Sequence, residues 1–258
     1  MEECFGLTLP DLLLGKDSDL SANDHQKFQN IASRLLAGEP VQHILGFADF
    51  CGHRFCVTPD VLIPRPETEG LVTLATAVLS GRDENGVFSP RILDLGTGSG
   101  CIALSLALAH PEATVVAVDV SAEALAVACR NAELLGVRHA TMRQGDILHW
   151  TGSADERYDL IVSNPPYIRP SEALEMEDVV LRHEPHQALF VPEDDPLIFY
   201  RKIVEISRRA LSPSGAVVVE INSAFPEATA ALFRAAQFGQ VTLHGDLFGQ
   251  PRFVCAIR

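Results

Sequence analysis

Residues 91–119 read RILDLGTGSGCIALSLALAHPEATVVAVD. RILDL is a short, nearly all-apolar run of strand length, and TVVAVD is another. Between them CIALSLALA is apolar all round, as a buried helix is. The segment Asp94-Leu95-Gly96-Thr97-Gly98-Ser99-Gly100 joins the first strand to the helix. Strand, glycine loop, helix and strand in about thirty residues make a βαβ unit, whose two strands run parallel. The alternation continues downstream. Helix AEALAVACRNAELL is closed by Gly136, and strands ATMRQGD and YDLIVSN follow. Helix PLIFYRKIVEISRRAL, strand AVVVEIN and a helix around FPEATAALFRAAQF come next, before a final pair, VTLHG and RFVCAIR. Apolar strands between helices predict a parallel sheet covered on both faces. The loop joining the last two strands is too short for a crossover, so they should pair antiparallel. In sheets of this kind ligands bind at the carboxyl ends of the strands.

Upstream, residues 21–38 predict a helix. Ser21 can cap it, Phe28, Ile31, Ala32, Leu35 and Leu36 recur at helical spacing, and Gly38 and Pro40 stop it. Residues 41–64 hold VQHILGFADF and HRFCVTPDVLIP on either side of Gly52, β-branched and aromatic, and are read as a hairpin. A helix with the stripe Leu71, Val72, Ala75, Val78 and Leu79 should begin near Pro66, and 81–90 (GRDENGVFSP) is the clearest linker. The expected organisation is a reduced helical domain over 1–40, a hairpin link over 41–64 and an α/β domain over 65–258.

The composition is that of a folded globular protein, 47% hydrophobic and 21% charged, with no low-complexity tract. No apolar run is long enough for a bilayer, and MEECFGLTLP carries acids where a signal peptide carries bases, so we expect a cytoplasmic monomer. The net charge of −14 argues against stable binding to a nucleic-acid backbone. Six scattered cysteines (Cys4, Cys51, Cys56, Cys101, Cys129, Cys255) include no Cys-x-x-Cys pair and are expected as reduced, small core residues. In His183-Glu-Pro-His186 the proline spoils a helical metal pair, so no metal is expected.

Three glycines at alternate positions let the 94–100 loop turn sharply and approach a ligand closely. A glycine loop alone would also suit a nicotinamide cofactor. However, the spacing is G-x-G-x-G rather than G-x-G-x-x-G, and Asp119 ends the next strand, placed to accept from both hydroxyls of a ribose. Asp146, at the end of the third strand, could accept from an adenine amino group with Ile147 packed on the ring. Equally, it could cap a turn. The combination resembles the S-adenosylmethionine pocket of class I methyltransferases.

The fourth strand ends in Asn164-Pro165-Pro166-Tyr167. Two prolines hold the backbone extended and leave carbonyls outside the ladder. The Asn164 carboxamide oxygen and the Pro165 carbonyl can then converge on an NH2 group borne by a planar carbon, with Tyr167 as a flat face beside it. Amide and aniline-like nitrogens are poor nucleophiles because their lone pair is delocalised. Acceptors at both protons can steer that pair toward a methyl donor and stabilise the charge that develops.

NPPY following DLGTGSG resembles the amino-methyltransferases that modify adenine in DNA, guanine in RNA or glutamine in protein. GEPVQHILG (38–46), VTPDVLIPRPETEGLV (57–72), ILDLGTGSGCIALSLA (92–107), VSNPPYI (162–168) and HEPHQALF (183–190) narrow this. Together they resemble the release factor glutamine methyltransferase (PrmC/HemK) family, from about residue 38 to the end. The resemblance implies a Rossmann-like class I methyltransferase domain behind a small helical domain and a hairpin. It also implies methyl transfer from S-adenosylmethionine, leaving S-adenosylhomocysteine, to the glutamine of the Gly-Gly-Gln loop of peptide chain release factors. Carried over by position, Gly96, Thr97, Gly98, Ser99, Gly100, Asp119, Ile147 and Asn164 would contact the cofactor. Asn164, Pro165, Pro166 and Tyr167 would hold the glutamine amide. Arg65, Pro66 and Glu67 would lie near the pocket, with Glu67 either bonding to polar groups of a ligand or serving as a first-turn acid.

Overall fold

The computed structural model describes residues 1–81, 89–150, 152 and 155–258; residues 82–88 of the expected linker lie outside them. The chain begins with helices α1 (Glu2–Phe5), α2 (Leu9–Leu13) and α3 (Ala22–Leu36). Helix α3 matches the expectation, with the Ser21 hydroxyl accepting the Asp24 amide at 3.1 Å. The sequence reading of one good helix ahead of the hairpin is corrected by α1 and α2. These have four and five residues, too short to show a period, and α2 is set by a capping box between Thr8 and Asp11.

The reading of 41–64 as one hairpin is also corrected. Val41–Leu45 form helix α4, closed by Gly46 in the left-handed region (φ 80°). The β-branched Val41 and Ile44 suggested a strand, but Pro40 before them and Gly46 after them are helix-ending signals at both sides. The hairpin is only β1 (Phe47–Phe50) with β2 (His53–Cys56), paired antiparallel. Its turn residues Cys51 and Gly52 both have positive φ, the mirror-image turn that suits the twist of two paired strands.

A single 3₁₀ turn, Pro66–Thr68, leads into α5 (Glu69–Ser80). The α/β portion then runs β3 (Arg91–Leu95), α6 (Cys101–Ala109), β4 (Thr114–Asp119), α7 (Ala122–Leu134), β5 (Ala140–Gln144) and β6 (Tyr158–Ser163). Short helices α8 (Asp178–His183) and α9 (His186–Leu189) precede α10 (Ile198–Ala210), β7 (Leu211–Glu220), α11 (Pro226–Ala235), β8 (Gln240–Gly245) and β9 (Pro251–Ile257).

The nine-residue apolar helix and the strands around it build a seven-stranded sheet in the order β5-β4-β3-β6-β7-β9-β8. Strands β5 to β7 of that order are parallel, and β9 runs antiparallel to both β7 and β8, as the short final loop requires. Alternate strand residues feed two cores. Ile92, Val115, Leu160 and Val218 pack under α5 and α6, whereas Leu93, Val116, Ile161 and Val217 pack under α10 and α11. Both faces are covered, which is why the strands read as apolar runs.

The hairpin shares the first of these cores: Phe50 and Phe55, 1% and 0% exposed, pack with Leu71 and Ile102. Asn131 of α7 fixes it further. Its Oδ1 accepts the Cys56 amide at 2.7 Å, and its Nδ2 donates to the carbonyls of Cys56 (3.0 Å) and Ser99 (2.8 Å). Cys101 and Cys255 are buried, as expected. Cys129 is instead exposed, on the outer face of α7.

Candidate active site

The chain reverses its direction of travel across the sheet between neighbouring β3 and β6, and the loops beyond their carboxyl ends meet at that switch point. The Ser163 hydroxyl, ending β6, donates to the carbonyl of Leu95, ending β3, at 2.6 Å. The glycine loop and the NPPY segment therefore leave adjacent strands side by side.

In the glycine loop, the amides of Gly96 and Thr97 both donate to the Val118 carbonyl, at 2.8 and 2.9 Å. The Asp119 carboxylate accepts from Gly98 N at 2.8 Å and from Ser121 N at 3.0 Å. Gly98, at φ 54°, has nothing within 4 Å of the place a Cβ would take, so the backbone itself faces open space. Of the loop, Gly96 and Gly98 line a cavity of about 510 Å³, together with Asp119, Asp146, Ile147 and Asn164. Thr97 and Ser99 are buried behind it, at 3% and 2% exposure, and Gly100 caps the start of α6. The Thr97 hydroxyl donates to Asp94 at 2.6 Å. Asp94 is wholly buried, which pushes its carboxyl up to about 7 despite the Thr97 hydrogen bond; the charge of Asp119 adds to the rise.

Asp146 is a cap, as one of its two readings had it. It accepts from Leu148 N at 2.8 Å and faces His149 Nδ1 at 2.7 Å. It also reaches the cavity wall beside Ile147, which is 6% exposed and lies 3.4 Å from the position of a Cβ on Gly96.

Beyond β6 the extended backbone turns alternate residues to opposite sides. Pro166 lines the large cavity, while Pro165 and Tyr167 line a second one of about 250 Å³. Asn164 lines both. Arg65 also lines the second cavity and donates to buried Glu184 at 2.5 Å; the other Glu184 oxygen accepts from Ile63 N at 3.2 Å. Glu67 is exposed in the 3₁₀ turn and does not line either cavity, which is where a first-turn acid sits.

Two residues that the sequence reading passed over stand at and behind the second cavity. Glu220, last residue of β7, is 2% exposed and lines it. Its Oε2 accepts from Thr68 Oγ1 at 2.7 Å and its Oε1 from the Tyr167 hydroxyl at 3.1 Å. Thr68 Oγ1 in turn accepts from Asn164 Nδ2 at 3.4 Å. Burial pushes the Glu220 carboxyl up, against the pull of the Thr68 and Tyr167 hydrogen bonds and the Arg252 charge. The signal was present: an acid ending an apolar strand, as Asp119 does, in VVVEIN.

The donor set suits S-adenosylmethionine. Close backbone approach at Gly96 and Gly98 leaves room for a ligand, Asp119 stands at the end of β4 for a ribose, and apolar Ile147 offers a flat bed for a ring. A doubly wound sheet with this loop at its switch point, and with Asn164 in the walls of both that cavity and a second one, defines a class I methyltransferase. Comparison with known proteins narrows the class. The family described as methyltransferase small domain matches residues 72–183, and that described as PrmC N-terminal domain matches 1–46, taking in α4. The chain is 44% identical over 256 residues to the release factor glutamine methyltransferase of Bacteroides thetaiotaomicron, covering 99% of this chain and 89% of that protein. It is 45% identical over 243 residues to that of Bordetella pertussis, covering 93% and 86%. The hMettl16 catalytic domain in complex with MAT2A 3'UTR hairpin 1 superposes with a TM-score of 0.57 at 15% identity, over 77% of this chain and 71% of that one, a likeness of fold alone. The chain belongs to the release factor glutamine methyltransferase family.

Proposed function

We propose that the protein transfers a methyl group from S-adenosylmethionine to the side-chain amide nitrogen of the glutamine in the Gly-Gly-Gln loop of peptide chain release factors. The observation that carries this reading is that Asn164 lines both cavities, so one carboxamide stands where a methyl donor and an amide would meet. When bound, S-adenosylmethionine supplies an electrophilic methyl group on a sulfonium and leaves as S-adenosylhomocysteine.

The chain's own residues do the rest. Asp119 would hold ribose hydroxyls and Asp146 an adenine amino group, Ile147 would pack on the ring, and Gly96 and Gly98 would let the backbone come close. Asn164 Oδ1 and the Pro165 carbonyl accept the two protons of the glutamine NH2, and Tyr167 lies against its plane. With the methyl group that S-adenosylmethionine would supply, Asn164 and Pro165 would hold the nitrogen by its two protons, and one of these would pass to solvent in the second cavity once the new nitrogen–carbon bond had formed. Acceptors fixed in advance favour the developing positive charge without reorganising.

Release factor recognition belongs to the helical stretch 1–46 and the rim of the second cavity. Leu9, Leu13, Leu14 and Leu36, 69–90% exposed, are the apolar contacts that stretch offers. No helix among the described residues is long and apolar enough to cross a membrane.

Incubation with labelled S-adenosylmethionine, a folded release factor, duplex DNA and ribosomal RNA tests the proposal. The label should appear on the Gly-Gly-Gln glutamine and vanish when that residue is Glu. Both nucleic acids should remain unlabelled even at low salt, where attraction to a phosphate backbone is greatest. A methyl group found on a base, with the release factor unmodified, would overturn the assignment.

A further inference from the structure

We propose that Glu220 and Thr68 are positioning residues that fix which way the Asn164 carboxamide faces; the inference rests on the amide-methylating role given above. A carboxamide is nearly symmetric in shape, and a half-turn about its last bond exchanges an acceptor for a donor pair. An Asn164 turned the wrong way would present NH2 to the NH2 of the acceptor amide and repel it. The structure has a device that forbids this. Thr68 has one hydroxyl proton, and Glu220 Oε2 takes it at 2.7 Å. With its proton engaged, Thr68 Oγ1 can only accept from Asn164, and it does so from Nδ2 at 3.4 Å. The amide NH2 is thereby held toward Thr68 and Oδ1 is left for the cavities.

The order of the chain of hydrogen bonds is set at its far end. Both Glu220 oxygens accept: one takes the Thr68 hydroxyl, and the second receives the Tyr167 hydroxyl at 3.1 Å. One buried acid therefore orients two of the four NPPY residues. Its own place is fixed from the strand: the Tyr200 hydroxyl donates to the Glu220 carbonyl at 3.2 Å, and Asn222, two residues on, donates to the Tyr167 carbonyl at 3.0 Å. Thr68 is 3% exposed, so bulk solvent does not compete with Glu220 for the proton.

Two substitutions interrupt the relay at different points with little change of shape. Thr68→Val removes the hydroxyl. Glu220→Gln supplies an NH2 that can donate to Thr68 Oγ1, freeing the Thr68 proton for Asn164 Oδ1 and turning the amide. Each should lower kcat on a release factor by about ten- to a hundredfold, with cofactor affinity within about threefold of wild type. The double variant should be no worse than the poorer single. Thr68→Ser, which keeps the proton, should recover kcat to within about threefold of wild type. The Asn164 side-chain NH2 resonances, identified by their loss in Asn164→Ala, should shift in Thr68→Val and Glu220→Gln and return in Thr68→Ser. A folded Thr68→Val or Glu220→Gln protein with wild-type kcat or unmoved resonances overturns the relay. If the wild-type protein leaves release factors unmodified, the functional reading fails instead, and the resonances still decide the relay.

Discussion

The Asp119 carboxylate accepts the Gly98 amide at 2.8 Å, so the acid proposed to hold a ribose also closes the glycine loop that faces it. On that proposal, ligand affinity and loop shape are tied to one side chain. Each carboxylate oxygen has a second lone pair, so the loop bond leaves room for a ribose hydroxyl on each.

Asp119→Ala removes both contacts at once. Charge-assisted hydrogen bonds are worth about 1.5–3 kcal/mol each, so affinity for S-adenosylmethionine should fall at least about tenfold. The fold should persist, because β4 is held by its ladder and not by this side chain. Calorimetry on the folded variant provides the check; unchanged affinity removes Asp119 from the site.

Asn164→Ala deletes an acceptor whose value grows as charge develops on nitrogen. Turnover at saturating cofactor should fall by about two orders of magnitude. Some loss of cofactor affinity accompanies it, since the side chain lines the large cavity too. Near-wild-type turnover in steady-state assays would refute the amide clamp.

Asp94 makes stability depend on pH with a defined sign. Its folded carboxyl lies at about 7, above its usual 3.8, because it is buried. The folded state therefore holds a proton that the unfolded state releases. The contribution of this group is fully present below 3.8 and is lost as pH rises to about 7. Between pH 5 and pH 8 the ligand-free protein should lose more Tm than Asp94→Asn does, by on the order of 5 °C. Parallel melting curves for the two proteins would show that Asp94 does not titrate in this range.

The Arg65–Glu184 pair bridges the segment before α5 to that before α9, with the Glu184 side chain 1% exposed and Arg65 33%. Arg65→Met leaves a buried carboxylate without its cation and should cost about 2–4 kcal/mol. Urea unfolding should show a lower midpoint at an unchanged slope. A midpoint equal to wild type would mean that Glu184 finds another partner.

What the sequence disclosed was local. RILDL, TVVAVD and YDLIVS are apolar on both faces and are followed by a glycine loop, a serine cap and a Pro-Pro segment, so strand, loop and order could be read from neighbours in the chain. The loops at β3 and β6 came with them, because ligand loops sit at strand ends. Val41–Leu45 misled because β-branching in five residues says less than the Pro40 and Gly46 on either side of it. The acid ending VVVEIN was legible as a strand-end carboxylate, but its partner behind the NPPY loop was not. Thr68 and Glu220 are 152 residues apart, and only the folded sheet brings them together. Cys129 was misplaced because a helix with one buried face does not announce which small residue lies off it.

Asn131 gives the molecule a property that its domain boundaries conceal. A chain begun at residue 65 would keep every strand of the seven-stranded sheet and every residue of the NPPY loop. It would lose both Cys56 partners of a side chain that is 0% exposed, and the phenylalanines that fill the core beside α5 and α6. The stranded amide alone costs about 1–3 kcal/mol, and the third bond of the same side chain is the one that steadies Ser99 in the glycine loop. The hairpin is thus not a tether that could be exchanged for another linker. Grafting the catalytic portion onto a different recognition domain requires carrying residues 47–64 with it, as a wall common to both.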